Sequence, residues 1–353
     1  MKIVCIVGAR PQFVKLAPFL KALNEKRHKY TIIHTGQHYD DNLSKIFFEE
    51  LNIGNPDYNL EIGSDSQARQ TAKMMVGIEE ILNQVKPDWV VLFGDTNSTL
   101  AGSLASSKMN VKTAHVEAGL RSFNRNMPEE INRVVADQLA DILLVPSVKA
   151  YQNLINEGMK EKSFQVGDLM ADNIYHFKDK ISLEILNKME IEKNEYYVAT
   201  IHRPYNTDTK KTLVNVLSQI DKVDKNVIFP IHPRTKNIID KYRLKESNYP
   251  NIKFIESVGF LDFQSLQKNS GGIITDSGGI QKEAYLWKKP CFTIRSETEW
   301  TETVENGWNT LINHKKDNLK EKILKWEIPT KHYPFYGNGH SAYEIIKYME
   351  KRN

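Results

Sequence analysis

The chain has 353 residues, of which 40% are apolar and 26% charged. That composition excludes a disordered protein and leaves room for two buried cores. The longest apolar runs are about five residues, at 3–7 and 89–93, too short for a membrane helix of about 20, and a net charge of +4 is too small to point to nucleic acid.

The first half alternates strand-like and helix-like segments. Residues 2–7 form an apolar run ending in Gly8, and this opening reads as a strand rather than a secretory signal. Residues 13–25 follow with Phe13, Leu16, Ala17, Leu20 and Leu23 on one face. A strand at 30–35, a helical pattern near 42–51 and another at 66–84 come next. Then come a buried-type strand at 88–93, a small-residue helix at 98–108, a strand at 112–116, a helix at 128–139 and a strand at 142–145. Such alternation with short polar turns signals a parallel sheet covered on both faces.

A boundary falls near 167–173, where the strand 163–166 ends. The alternation then restarts. Strands are expected at 196–201, 226–231, 253–255, 272–275 and 290–294, with helices at 209–220, 235–242 and 279–287. The expected organisation is a first domain over 1–168 and a second over 169–340. A terminal helix over 341–353 would cross back to the first. Residues 1–168 carry 19 Lys and Arg against 20 Asp and Glu, whereas 169–353 carry 29 against 24. The second half therefore suits an anionic ligand better. Cys5 and Cys291 lie far apart in strand-like runs. They form no disulfide framework or cysteine-rich metal site, and they suit a reducing cytoplasm.

In open parallel sheets, ligands bind beyond the carboxyl ends of the strands. Arg10, His34, Asp95, Glu117, His202, His232 and Ser277 all sit just after expected strands. The run Thr275-Asp276-Ser277-Gly278-Gly279, with Glu283 one turn on, lies between a strand and a helix. Its glycines permit close backbone approach, and the helix N-terminus favours a phosphate. The same pattern also suits an ordinary glycine turn with a serine cap. It is neither a Walker motif nor a dinucleotide fingerprint, so ATP and NAD are not indicated. Gly8-Ala9-Arg10-Pro11 is a second turn of this kind, where Arg10 is suited to clamp a diphosphate and Lys15 lies just inside the helix; both also read as surface cations.

Asp95, Glu117 and Glu129 are the candidate acid and base groups. Asp95 also reads as a helix cap, Glu117 as the ion-pair partner of Arg121, and Glu129 as a favourable first-turn charge. Three carboxylates crowded at one cleft would spread their pKa values, as proton transfer requires. His202 and His232 end successive strands in His-Arg-Pro and His-Pro-Arg. They read as donors to phosphate or sugar, or as structural histidines; no accompanying ligand pattern supports a metal.

These segments, in this order, resemble the non-hydrolysing UDP-N-acetylglucosamine 2-epimerases. The likeness runs through Gly8-Ala9-Arg10-Pro11, His34-Thr35-Gly36-Gln37-His38-Tyr39 and Gly94-Asp95-Thr96. It continues in His115-Val116-Glu117-Ala118-Gly119-Leu120-Arg121, Pro128-Glu129-Glu130-Ile131-Asn132-Arg133, Ile201-His202-Arg203, His232-Pro233 and Asp276-Ser277-Gly278-Gly279. The resemblance implies an α/β, GT-B fold of two Rossmann-like doubly wound domains with a UDP-sugar in the interdomain cleft. It also implies a homodimer with no cofactor, metal or nicotinamide; composition and cysteine usage point to the cytoplasm, with neither nucleic acid nor membrane as partner. By the same resemblance Arg10, His232, Ser277, Gly278, Gly279 and Glu283 hold the UDP. Lys15, Asp95, Glu117, Glu129, Arg133 and His202 surround the sugar. The implied reaction removes the C2 proton, expels UDP to give a 2-acetamidoglucal, and re-adds UDP with the proton on the other face.

The chain departs from the commoner pattern in three places. His202-Arg203-Pro204-Tyr205-Asn206 replaces a His-Arg-Arg-Glu-Asn type, which puts allosteric activation by UDP-GlcNAc in doubt. Gln12 stands where the commoner version has Glu. The segment 295–302 replaces a Thr-Glu-Arg-Pro-Glu type sequence. The last two look like the branch that includes UDP-2,3-diacetamido-glucuronate 2-epimerases, whose extra carboxylate calls for a cation such as Arg125, Lys282 or Arg295. A glycosyltransferase on the same scaffold is the other class, and the carboxylate set argues against it.

Overall fold

The computed structural model describes residues 1–37 and 50–353, with Arg10 described by its backbone alone. The helical pattern near 42–51 therefore falls largely outside the described residues, as do His38 and Tyr39. The chain divides into two compact units. One comprises Met1–His176 with Pro334–Asn353, and the other Phe177–Tyr333.

The first unit is built on a parallel sheet. Its strands are β1 (Lys2–Val7), β2 (Lys29–His34), β3 (Tyr58–Asn59), β4 (Trp89–Phe93), β5 (Lys112–Val116), β6 (Ile142–Val145) and β7 (Ser163–Gln165). They lie in the order β3-β2-β1-β4-β5-β6-β7. Strands β1, β4 and β6 are apolar at nearly every position because helices cover both faces. Each Val or Ile buried there contributes roughly 1.5–3 kcal/mol. The helices Gln67–Val85 and Asn97–Lys108 cover one face, over a core of Val4, Ile6, Ile33, Met74, Ile78, Val90 and Leu92. The helix Asn97–Lys108 is made largely of Ala, Ser and Gly, so it fits between the helices Gln67–Val85 and Pro128–Leu139.

The terminal helix Ser341–Arg352 belongs to this unit and packs against the helix Arg10–Glu25. Asp172 anchors its start by accepting from the backbone N–H groups of Ser341 (3.0 Å) and Ala342 (2.8 Å). The stretch at 167–173 is occupied mainly by a helix, Leu169–Phe177.

The second unit repeats the plan with β8 (Tyr196–Thr200), β9 (Asn226–Pro230), β10 (Ile252–Ile255), β11 (Gly272–Thr275), β12 (Cys291–Thr293) and β13 (Asn309–Leu311). The order is β10-β9-β8-β11-β12-β13, again parallel. Its core gathers Leu213, Val216, Leu217, Val227, Phe229, Ile274 and Phe292. No helix among the described residues is long and apolar enough to cross a membrane.

Strand order reverses between β1 and β4 in the first sheet, and between β8 and β11 in the second. At such a switch point the two connecting helices diverge to opposite faces and leave a crevice at the strand ends. The Gly8 and Gly94 turns flank one crevice, and the His202 and Asp276 turns flank the other.

Candidate functional site

In the first unit, Gln12 joins the two turns that flank the switch point. Its amide oxygen accepts from the N–H groups of Gly8 (2.7 Å) and Ala9 (3.0 Å). Its amide nitrogen donates to the Phe93 carbonyl (2.7 Å) and to the Thr96 hydroxyl (3.0 Å). A glutamine supplies both polarities here, which gives the departure at this position a structural role. The Arg10 side chain lies outside the described residues.

Two ion pairs stand at the ends of β4 and β5. Lys15, buried on the first helix, pairs with Glu117 just after β5. Glu117 has φ +68°, a left-handed conformation that costs a non-glycine residue roughly 1–2 kcal/mol. Strain of this kind persists where the surroundings fix it, as at sites that need a side chain aimed one way. Gly94, with φ +67°, makes room for the pair. A Cβ there would lie 3.1 Å from Glu117 Oε2 and 3.3 Å from Lys15 Nζ.

Asp95 pairs with Arg133, whose guanidinium also reaches Glu130 Oε2 at 2.9 Å. Glu130 in turn accepts from the N–H groups of Ser122 (2.8 Å) and Phe123 (3.0 Å), ordering that loop. Asn132 Nδ2 donates to the Asp95 carbonyl at 3.0 Å. Glu129 is half-buried and lies four residues before Arg133, so the two share a helix face.

Two expectations about the carboxylates are corrected. The N-cap after β4 is Thr96, whose side chain accepts from the Thr99 N–H, so Asp95 is not the cap. Arg121 pairs with Asp137 (2.7 Å) and Glu157 (2.6 Å) rather than with Glu117. Asp95 and Glu117 are each paired with a cation.

In the second unit, Asp276 is the hub. Fully buried, it accepts from the N–H groups of His202 (3.1 Å) and Arg203 (2.9 Å) and from Asn206 Nδ2 (3.0 Å). This carboxylate fixes the β8 turn against the β11 turn. Asn206 also donates to the Ile294 carbonyl at 3.0 Å, so the Pro204-Tyr205-Asn206 variant keeps its asparagine as an anchor. His202 stacks on His232, with ring centroids 5.2 Å apart at 27°. His232 Nδ1 accepts from the Arg234 N–H at 3.2 Å. In the neutral ring the proton is then on Nε2.

Ser277 stands at the N-cap of the helix Gly278–Leu286, but its side chain makes no cap hydrogen bond. The first N–H groups of a helix have no intrahelical acceptor. Those of Gly278 and Gly279, the Ser277 hydroxyl and the dipole therefore make an N-terminus suited to an anion. A Cβ at Gly278 would lie 2.5 Å from Glu299 Oε1, so that carboxylate, held by Arg295, would have to shift. Glu283, nearly buried, accepts from Gln267 Nε2 at 2.5 Å. Of the three cations named for an extra carboxylate, Arg125 is exposed. Arg295 is buried and pairs with Glu299 at 3.0 Å, and the Lys282 Nζ lies 4.1 Å from the Trp300 ring centroid.

Sequence reasoning missed the residues that hold these groups: Asp276, Asn206, Glu130 and Asp137. Their signal was a carboxylate or amide in an otherwise apolar setting beside a turn. Among the described residues, no group of three or more His, Cys, Asp or Glu could hold a metal ion.

Comparison with known proteins agrees with the fold of two parallel units. The family model described as UDP-N-acetylglucosamine 2-epimerase matches residues 21–350. A UDP-N-acetylglucosamine 2-epimerase homolog of Methanococcus maripaludis is 50% identical, covering 99% of each chain. The UDP-2,3-diacetamido-2,3-dideoxy-D-glucuronate 2-epimerase of Pseudomonas aeruginosa is 41% identical over 99% of this chain and 100% of its own. The crystal structure of Methanocaldococcus jannaschii UDP-GlcNAc 2-epimerase in complex with UDP-GlcNAc and UDP superposes with a TM-score of 0.92. It is 43% identical and covers 99% of this chain and 100% of that one. The two parallel, doubly wound units are thus the Rossmann-like halves of a GT-B-type α/β fold. With the motifs, the sheet order and the match across nearly the whole chain in agreement, this protein belongs to the UDP-N-acetylglucosamine 2-epimerase family.

Proposed function

We propose that the chain is a non-hydrolysing 2-epimerase that converts UDP-GlcNAc to UDP-ManNAc by inverting C2. The observation that carries this reading is the pair of cation-matched carboxylates, Asp95–Arg133 and Glu117–Lys15, at the ends of adjacent strands beside the switch point. At neutral pH a carboxylate accepts a proton, and the cation beside each fixes its aim.

In this reading a carboxylate of the set removes the proton from C2 as the C1–O bond to UDP breaks, leaving a 2-acetamidoglucal and UDP. UDP then re-adds at C1, and a proton returns to C2 from the opposite face. The C2–H bond is a weak acid, so its cleavage needs a stabilised leaving group. Arg10, the His232 Nε2–H, the Ser277 hydroxyl and the N–H groups of Gly278 and Gly279 supply donors to the diphosphate as charge develops. Glu283 takes the ribose, while Glu129 and His202 complete the sugar surroundings. The buried thiols of Cys5 and Cys291 suit a reducing cytoplasm. A homodimer supplying a manno-configured sugar for surface polysaccharide fits the family resemblance.

A second reading, epimerisation of UDP-2,3-diacetamido-2,3-dideoxy-glucuronate, is favoured by the buried Arg295 and Lys282 in the variant segment's surroundings. The test is a substrate panel followed by NMR. Conversion of UDP-GlcNAc supports the first reading, exclusive turnover of the diacetamido-uronate supports the second, and turnover of neither refutes both. Asp95→Asn should abolish turnover and leave UDP affinity within about threefold, as for a group acting in the chemical step. A collapse of UDP affinity instead would make Asp95 a binding or structural group.

A further inference from the structure

His115, the penultimate residue of β5, is completely buried. Its Nδ1 lies 2.7 Å from Asp137 Oδ1 and its Nε2 lies 2.7 Å from the Gly94 carbonyl oxygen. A carbonyl oxygen only accepts, and so does an ionised carboxylate. Asp137 is held in that form. Burial alone would raise its pKa, but its other oxygen accepts from the always-charged Arg121 guanidinium at 2.7 Å, which helps hold it below the usual carboxylate range. Both ring nitrogens of His115 must therefore carry protons.

The surrounding charges agree. Asp137 Oδ2 accepts from Arg121 (2.7 Å) and from the Gly119 N–H (3.1 Å). Arg121 grips Glu157 with two further bonds of 2.7 and 2.6 Å. With His115 as a cation, the His115–Asp137–Arg121–Glu157 set is neutral. Lys162, whose Nζ donates to the Asp137 carbonyl at 2.8 Å, is matched by Asp141, so with His115 neutral the surroundings would hold a net negative charge largely away from water, which is costly.

The Gly94 carbonyl and the Asp95 N–H belong to one peptide plane, so a bond to that oxygen fixes where Asp95 begins. The Gly94 N–H is held by the Val116 carbonyl at 3.0 Å. Both backbone groups of Gly94 are thus tied to β5 just before Glu117. The helix Pro128–Leu139 braces the same turn through Asn132, Arg133 and Asp137.

We propose that His115 is a positioning residue held as a doubly protonated imidazolium, which pins the Gly94 peptide and thereby aligns Asp95 and Glu117 for proton transfer. The alignment role rests on the epimerase reading above, whereas the protonation state does not.

Two measurements test it on the full chain. The first is 15N NMR of ring-labelled enzyme at about pH 7.5, a unit above the ordinary histidine value of about 6.5. His115, assigned by its loss in a His115 variant or by its bonded Gly94 partner, should show a proton on both nitrogens. A single ring proton would overturn the proposal. The second compares His115→Gln, whose amide nitrogen reaches the Nε2 position and keeps the Gly94 bond, with His115→Asn, which reaches only toward Asp137. The Gln variant should lose about tenfold in kcat and the Asn variant about 100-fold, with KM within about threefold in both; displacement near 1 Å has that effect. Equal kcat values for the two, or an unchanged kcat in Asn, would overturn the alignment role. Absence of turnover in the unaltered enzyme would instead refute the epimerase reading, with the NMR result still deciding the charge. Should either variant fail to fold, the NMR of the unaltered chain remains decisive.

Discussion

Replacing Gly94 by Ala places one methyl group at the point where backbone, ion pair and proposed chemistry meet. Gly94 has φ +67°. Holding an L-residue there costs roughly 1–2 kcal/mol, and the loss of freedom in the unfolded chain returns about 0.4–1 kcal/mol. The net expectation is a loss of about 1 kcal/mol in stability. The methyl would also lie 3.1 Å from Glu117 Oε2 and 3.3 Å from Lys15 Nζ. Both contacts are tight for carbon against a polar atom, so the pair must move by a few tenths of an ångström. A displacement of about 1 Å costs near 100-fold in rate, so a fraction of that should cost about tenfold in kcat. Urea unfolding measures the first quantity, and steady-state turnover of UDP-GlcNAc at saturation measures the second. A kcat equal to that of the unaltered enzyme, with stability reduced as expected, would refute the requirement for the Lys15–Glu117 geometry.

Other perturbations give distinct outcomes. Arg133→Lys should not rescue Arg133→Met: one ammonium cannot fork between Asp95 and Glu130 as a guanidinium does, and both variants should fall at least about 100-fold in kcat; wild-type kcat in the Lys variant would contradict this. Asp137→Asn removes a fully buried carboxylate and should cost about 3–5 kcal/mol in urea unfolding at neutral pH. Because the folded pKa of Asp137 is lowered, its contribution is complete above the unfolded value of about 3.9 and is lost as pH falls through the lower folded value. The variant should accordingly show a flatter acid limb of stability below about pH 4, and an unchanged limb would count against the buried network. Burial raises the pKa of both thiols, Cys291 to about 12 and Cys5 higher still. A thiol reagent should therefore react with the folded chain only as fast as it unfolds, and a rapid stoichiometric reaction would contradict their burial.

Much of the fold was legible because buried parallel strands announce themselves. The runs at 2–7, 89–93 and 142–145 are nearly all apolar, and the intervening helices carry clear faces except the small-residue helix Asn97–Lys108. Periodicity was less useful where a segment is short or lies between packed layers. The helix Val148–Asn156, the helix Phe260–Asn269 and the strand Asn309–Leu311 were not expected; the strand is three residues long and the first helix begins on a serine cap within a polar stretch. The positions of the candidate groups followed from the rule about strand ends, since Asp95, Glu117, His202 and Ser277 all stand there. Their partners did not. An N-cap can shift by one residue, which is how Thr96 came to cap the helix and left Asp95 to Arg133. Likewise, Arg121 is close to Glu117 in sequence, yet the left-handed turn at Glu117 sends the two side chains to different partners. Partner choice depends on helix packing across the sheet, as with Asp137 reaching His115 from 22 residues away, and no local pattern encodes it.

The most direct test of the central claim is incubation of the enzyme with UDP-GlcNAc in deuterated water, followed by proton NMR of the sugar. Inversion through loss and return of the C2 proton predicts deuterium at C2 of UDP-ManNAc and, as equilibrium is approached, of the UDP-GlcNAc pool. Formation of UDP-ManNAc with the original proton retained at C2, or no UDP-ManNAc at all, would contradict the account.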